Sequence, residues 1–83
     1  MLSKEDIYKK LSEIMKREFG FEESQLTLKA HLVDDLDLDS IDAIDLAVWL
    51  EEEMGQSLAE EDLRSIRTVE DVIDAVHLAL QTG

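Results

Sequence analysis

The sequence predicts an all-α fold: a small bundle of three main helices plus one short helix, within a single domain of residues 1–83. Apolar residues recur at helical spacing in three long segments, and a serine or threonine suited to helix capping precedes or opens each of them. Strand-like alternation is absent outside one long loop, and the chain contains no proline. A chain of 83 residues supports one hydrophobic core.

The first helix is predicted over about residues 4–18. Ser3 and Asp6 have the spacing of a capping box, and Gly20 suits the position just after the helix end. Its core face consists of apolar residues at helical spacing, with charged residues on the other faces: Ile7, Leu11, Ile14 and Met15.

Residues 20–39 show no sustained helical period, and so long a loop in a small domain is normally functional or tied down. We expect the loop to be held by apolar side chains that enter the core between polar neighbours: Leu26, Leu28, Leu32, Val33 and Leu36.

The second helix is predicted from Ser40 to Met54, with Ser40 as a suitable N-cap and Gly55 as the stop. Helical spacing places one apolar stripe on the core face: Ala43, Leu46, Ala47, Leu50 and Met54. The small Ala43 and Ala47 either leave room beneath the helix or allow close helix packing. Trp49 lies on the flank of this stripe, where we expect a half-buried packing residue.

A second apolar stripe lies on the far side of the same helix, and acidic residues flank it. The apolar members are Ile41, Ile44 and Val48, and the flanking acids are Asp45, Glu51 and Glu52. One apolar stripe is enough for a helix to join a core, so the second one indicates a docking surface. The alternative is that single apolar residues are ordinary on protein surfaces.

Two further capping boxes predict the remaining helices. Residues 57–60 open a short helix through about Arg64, and residues 68–71 open an amphipathic helix of about 68–80.

The charge balance of 21 acidic against 8 basic residues, a net charge of −13, restricts the partners of this chain. It argues against nucleic acid and anionic membrane surfaces and favours partners with basic patches. There is no cysteine, no signal-peptide core and no apolar run long enough for a membrane span. We therefore expect a cytoplasmic monomer.

Self-contained catalysis is disfavoured. A nucleophilic Ser40 would need an adjacent base and an orienting group, and the only histidines, His31 and His77, fit structural or solvent-facing roles better. A dedicated metal site is also disfavoured. Counted from Asp35, the sixth and twelfth residues of a calcium loop would be Ser40 and Leu46, where the motif requires glycine and glutamate.

A third interpretation is that another enzyme modifies Ser40, because a hydroxyl at the start of a helix, surrounded by charged residues, suits the attachment of a group. Asp39-Ser40-Ile41 follows Leu32-x-x-Asp35-Leu36 and precedes Ile44-x-Leu46 and the segment 50–55. With these motifs the chain resembles the acyl carrier proteins over nearly its whole length. The resemblance implies an acyl-carrier-like bundle that is not itself an enzyme.

The same resemblance implies a covalent 4′-phosphopantetheine arm on Ser40, installed from coenzyme A by a phosphopantetheinyl transferase. The arm would carry acyl intermediates as thioesters to acyl-loading, ketosynthase and related enzymes of fatty-acid or polyketide type. Asp39 and Ile41 flank the attachment residue. The face that basic patches of partner enzymes would read consists of Asp39, Ile41, Asp42, Ile44, Asp45, Val48, Glu51 and Glu52.

Two departures from the commonest pattern of the family are Ile41 in place of leucine and Leu38 where a small residue is more usual. The run of aspartates resembles carriers of specialised bacterial pathways, such as those of the aryl-polyene type. Two alternatives stay open at this point: an aminoacyl or peptidyl carrier, and an acidic interaction module that responds to divalent ions.

Overall fold

The described part of this computed structural model contains three long α-helices: α1 Lys4–Phe19, α2 Ser40–Met54 and α3 Val69–Thr82. A short 3-10 turn, Glu23–Gln25, lies in the loop between α1 and α2. The structure describes residues 3–55 and 65–82, apart from the side chains of Ser40 and Thr82. The short helix predicted over residues 57–64 lies outside the described residues. Each main helix lies where the sequence predicts it, to within two residues at either end.

The ends of α1 follow directly from its sequence. The Asp6 amide donates to Ser3 Oγ at 3.2 Å, and the Ser3 amide donates to Asp6 Oδ2 at 3.2 Å, which completes the predicted capping box. Gly20 ends the helix in the left-handed region at φ 76°, a conformation that glycine adopts without steric cost.

Both α2 and α3 pack against α1, and the core lies between the three helices. Its members on the helices include every residue predicted for the core face of α1, together with Leu46 and Leu50 of α2. From α3 the core receives buried branched residues at helical spacing: Val69, Val72, Ile73 and Val76.

The long loop is held by backbone pairing as well as by side chains. Residues 28–32 lie beside residues 67–70, where the Leu32 amide donates to the Arg67 carbonyl at 2.9 Å and two further bonds of 3.0 and 3.1 Å join the segments. Within the described ranges, β pairing is limited to a single isolated bridge between these segments. The loop is thereby joined to the start of α3, and its last residues lead directly into α2.

The prediction of which loop residues enter the core was partly wrong. Leu26, Leu32 and Leu36 are buried as expected, but Leu28 is 46% exposed and Val33 is 58% exposed. Leu38, which was not expected in the core, is buried at 6% exposure. The pairing with residues 67–70 sets which side of residues 28–32 faces inward, and the local sequence pattern does not contain that information.

Trp49 is half-buried against the core, as the sequence predicts. The Arg17 guanidinium of α1 lies 5.5 Å from the centroid of its ring, a cation–π distance. Arg17 also contacts Glu53 of α2, with 3.2 Å between Nη2 and Oε1. This cluster joins the last turn of α1 to the second half of α2.

Candidate functional site

The site is built around the first turn of α2, where the aspartate-rich loop becomes helix. Asp39 is the N-cap: its Oδ1 accepts the Asp42 amide at 2.9 Å, and the Asp39 amide donates to Asp42 Oδ2 at 3.2 Å. The expectation that Ser40 is the N-cap was therefore wrong by one residue. Ser40 is instead the first residue of the helix. The Asp39 carboxylate already accepts the hydrogen bond from the Asp42 amide that a capping serine could have accepted.

The segment that delivers Ser40 is a closely hydrogen-bonded turn. The amides of Asp35 and Leu36 both donate to the His31 carbonyl, at 2.9 and 3.1 Å, and the Leu38 amide donates to the Leu32 carbonyl at 2.9 Å. These bonds place the start of α2 relative to the loop that pairs with α3, so the serine position is structurally fixed.

Asp37 lies within this turn and adopts a φ of 56°. It is the one non-glycine residue in the left-handed region within residues 3–55 and 65–82. Aspartate tolerates this region better than most residues, although at some energetic cost. The turn therefore contains local backbone strain directly before the helix.

His31 has a structural role in the same turn. Its Nδ1 accepts the amides of Val33 and Asp34, at 3.3 and 3.1 Å. The Asp34 carboxylate lies 3.7 Å from the same nitrogen. A ring nitrogen used in this way orders the loop and is not available as a base for Ser40.

The predicted docking stripe is exposed along the outer side of α2. Ile41, Ile44 and Val48 are 67%, 58% and 49% exposed. The acidic residues predicted for the same face are exposed, except that Asp42 is half-buried: Asp39, Asp42, Asp45, Glu51 and Glu52. The helix contains no lysine or arginine, so this face combines three apolar side chains with unbroken negative charge.

An apolar cavity of about 210 Å³ lies beneath the same helix, on the opposite side from the docking stripe. Its walls are largely the inner face of α2 and the loop: Leu32, Leu38, Ala43, Leu46, Ala47 and Leu50. The exposed Val33 and Asp39 also line it, so the cavity reaches the surface beside Ser40. The two alanines of α2 therefore leave room and do not serve only close packing.

Within the described ranges, no three or more histidine, cysteine, aspartate and glutamate side chains are grouped closely enough to hold a metal ion. The acidic residues of the turn instead bond to backbone: Asp35 Oδ2 accepts the His31 amide at 2.7 Å. The chemistry that this site offers is an exposed helix start, a charged apolar face and an apolar cavity next to it.

The sequence profile of a family described as "Phosphopantetheine attachment site" matches residues 9–76. The chain is also 40% identical to "Acyl carrier protein 2" of Ralstonia nicotianae over 79 residues, which cover 95% of this chain and 98% of the relative. It belongs to the acyl carrier protein family. An acyl carrier protein of Coprothermobacter proteolyticus is 38% identical over 81 residues, covering 98% of this chain and 99% of the relative.

Solved structures give the same result. The crystal structure of an acyl carrier protein from Thermotoga maritima superimposes with a TM-score of 0.83 at 29% identity, covering 95% of this chain and 92% of the other. A putative acyl carrier protein from Mycobacterium tuberculosis gives 0.79 at 28% identity, covering 87% and 96%. The predicted all-α acyl-carrier fold is confirmed.

Acyl carrier proteins are carriers and not enzymes, and their cofactor is a covalently attached 4′-phosphopantetheine. The predicted function and cofactor are therefore confirmed at the level of the family. Members work with a phosphopantetheinyl transferase and with biosynthetic enzymes. No helix in the described part of the chain has the length and apolar character needed to cross a membrane.

The residues around Ser40 fit this cofactor. Its chain neighbours Asp39 and Ile41 are both exposed, which leaves the helix start at the surface. The phosphate of the arm would lie at a helix N-terminus, where backbone amides and the helix dipole favour an anion. The adjacent cavity is apolar and matches a hydrocarbon cargo.

Three features of the site were not predicted from the sequence. Leu38 was noted only as a departure from the family pattern, yet it is a buried wall of the cavity. Ile66 lines the cavity from the segment before α3, and Arg17 contacts α2 from α1. The alternation of apolar and acidic residues in Leu36-Asp37-Leu38 was the sequence signal that could have predicted the burial of Leu38.

Proposed function

We propose that Ser40 is the residue of this acyl carrier protein that bears the 4′-phosphopantetheine arm. The observation that carries the proposal is its place as the first residue of α2, between an exposed acidic face and the mouth of an apolar cavity. Ser12 does not fit, since it is 4% exposed and donates to the Tyr8 carbonyl at 2.8 Å. Ser24 lies in the short 3-10 turn, away from the cavity lining.

Attachment would use an external enzyme, the phosphopantetheinyl transferase with which members of this family work. The serine oxygen bonds to the β-phosphorus of coenzyme A, the pyrophosphate bridge breaks, adenosine 3′,5′-bisphosphate leaves, and the transferase takes the hydroxyl proton. The attached arm supplies a terminal thiol, which the cysteine-free chain lacks. Asp39 and Asp42 keep the first turn of α2 formed while this occurs, through their mutual backbone hydrogen bonds.

The exposed face of α2 is the proposed binding surface for the transferase and for acyl-loading, ketosynthase and related enzymes. Three exposed apolar side chains give contact area, and the acids around them attract basic patches. No basic side chain lies on the helix itself, so the face repels other acidic carriers. This arrangement suits short encounters with several cytoplasmic enzymes in turn, because charge raises association rates more than final affinity.

The cavity beneath α2 is the proposed resting place of the acyl chain. Its lining is almost wholly apolar, and it opens at Asp39, the residue before the tether. Burial there would protect the thioester end of the cargo from water and would remove its hydrocarbon surface from solvent.

The attachment residue is tested by incubating the protein with coenzyme A and a broad-specificity phosphopantetheinyl transferase, followed by intact-mass measurement. Wild type gains the mass of one arm, and Ser40→Ala gains none. Ser24→Ala is the matched control, an exposed serine that should leave the modification unchanged. An arm on the Ser40→Ala variant, or none on wild type with several transferases, refutes the assignment.

The docking face is tested with a pair of residues of equal exposure. Ile44 on α2 is 58% exposed and Leu78 on α3 is 57% exposed. We expect Ile44→Ser to lower kcat/KM of arm transfer about tenfold, the effect of losing roughly 1.4 kcal/mol of contact. Leu78→Ser should leave the rate near wild type. Equal losses in the two variants contradict a face specific to α2.

A further inference from the structure

Leu38 occupies a position that controls the size of the cavity. Its side chain is buried at 6% exposure and forms part of the cavity wall, one residue before Asp39 at the mouth. Its backbone is held by the bond of 2.9 Å from its amide to the Leu32 carbonyl. The left-handed turn at Asp37 comes directly before it. A side chain held in this way cannot move aside without disturbing the turn.

The cavity is small for a hydrocarbon chain. An apolar cavity of about 150 Å³ accommodates benzene, six carbon atoms, so about 210 Å³ corresponds to roughly eight carbons. Protein interiors tolerate little overpacking, and a longer chain would have to displace wall residues or remain in water. The wall residue nearest the tether on the loop side is Leu38, next to the mouth residue Asp39.

We propose that Leu38 is a specificity-determining residue that limits the buried cargo to medium-length chains of about eight carbons or a group of similar volume. Where this position holds a small residue, the same cavity would extend towards the mouth by the volume of the missing side-chain carbons. The inference rests on the proposed attachment at Ser40 and adds a size limit for what is attached there.

The neighbouring Leu36 provides a matched control. It belongs to the same turn, is the same residue type and is buried at 4% exposure, but it does not line the cavity. Leu36→Ala and Leu38→Ala should both lower the stability of the loop, because each removes buried side-chain carbons. Only Leu38→Ala removes side-chain carbons from the wall of the cavity.

The test loads Ser40 directly from acyl-coenzyme A thioesters of two to fourteen carbons and measures the melting temperature of each acylated carrier. For wild type, the melting temperature should rise with chain length to about eight carbons and then stop rising, because added methylenes gain no further burial. Leu38→Ala should increase the chain length at which the melting temperature stops rising, which we call the break, by about three carbons, the number removed from the side chain. Leu36→Ala should lower every value and leave the break in place.

Leu38→Phe gives a second, opposite perturbation: the larger side chain should move the break to shorter chains. A wild-type protein that accepts acyl arms but melts at the same temperature for all lengths overturns the inference, as does a break that Leu38→Ala and Leu38→Phe leave unchanged. Failure of the arm to attach is a separate result, seen by mass before any melting experiment, and it refutes the proposed attachment itself.

Discussion

Asp37→Gly is expected to give a more stable protein than Asp37→Ala, because residue 37 adopts a φ of 56°. The left-handed region costs a residue with a Cβ about 1–2 kcal/mol, and glycine avoids that cost. Glycine in turn loses about 0.4–1 kcal/mol through the greater freedom of the unfolded chain. The difference between the midpoints of these two ranges leaves a gain of about 0.8 kcal/mol for glycine over alanine at this position.

The comparison is made between Asp37→Gly and Asp37→Ala, since both remove the same carboxylate and differ only in the Cβ. Residue 37 is exposed, so neither change empties a packed site. A difference of about 0.8 kcal/mol corresponds to about 3–6 °C in melting temperature for a domain of this size. Urea unfolding gives the free energies, and thermal unfolding gives the temperatures.

Asp37→Asn separates charge from conformation, because asparagine also tolerates the left-handed region but carries no charge. Any stabilisation of this variant measures relief of repulsion within the aspartate-rich turn. If Asp37→Gly is no more stable than Asp37→Ala, the turn before Ser40 does not have the left-handed conformation, and the reasoning on how Leu38 is turned into the cavity fails with it.

Three further results are expected. The Arg67 and Thr68 amides donate to the Asp71 carboxylate and lower its pKa below the ordinary 3.8. These bonds stabilise the fold above that pH, and their contribution is lost as the pH falls through the folded pKa. Asp71→Ala should therefore lose less stability than wild type on acidification below about 3.8. Added salt should raise the melting temperature at pH 7, since screening weakens the repulsion of a chain with net charge −13; an unchanged value would contradict this. Arg17→Met should lower the melting temperature and shift the emission of Trp49, whereas Lys16→Met, which changes the neighbouring exposed cation, should leave the emission unchanged.

The helices of this fold are predictable because their signals are local. Capping at Ser3, the stops at Gly20 and Gly55 and the two stripes of α2 depend on residues within a few positions of one another. Burial in the loop is different. Leu28 is exposed and Leu38 is buried although both are leucines between polar neighbours. Leu28 belongs to the segment that pairs with residues 67–70, whereas the Leu38 amide bonds to the Leu32 carbonyl at the end of that segment. That pairing joins segments far apart in the sequence, and periodicity does not report it.

In the candidate site, too, some features follow from local sequence and others depend on long-range contacts. The exposed stripe of Ile41, Ile44 and Val48 follows from helical geometry alone, and the structure confirms its exposure. The cavity does not follow from the sequence, because the small Ala43 and Ala47 fit a void and close packing equally well. Only the position of the loop, with Leu38 as a wall, decides in favour of a void.

The acids at the start of α2 have two separate uses, which explains why so many are tolerated together. Asp39 and Asp42 each accept a backbone amide of the other, and Asp35 accepts the amide of His31, so these carboxylates stabilise the turn and the helix start. Asp45 lies beyond the first turn, and its carboxylate makes no hydrogen bond or ion pair within the described residues. Repulsion among the capping acids is offset locally by hydrogen bonds, whereas Asp45 gains nothing from the fold. Its charge is therefore available to a basic patch on a partner.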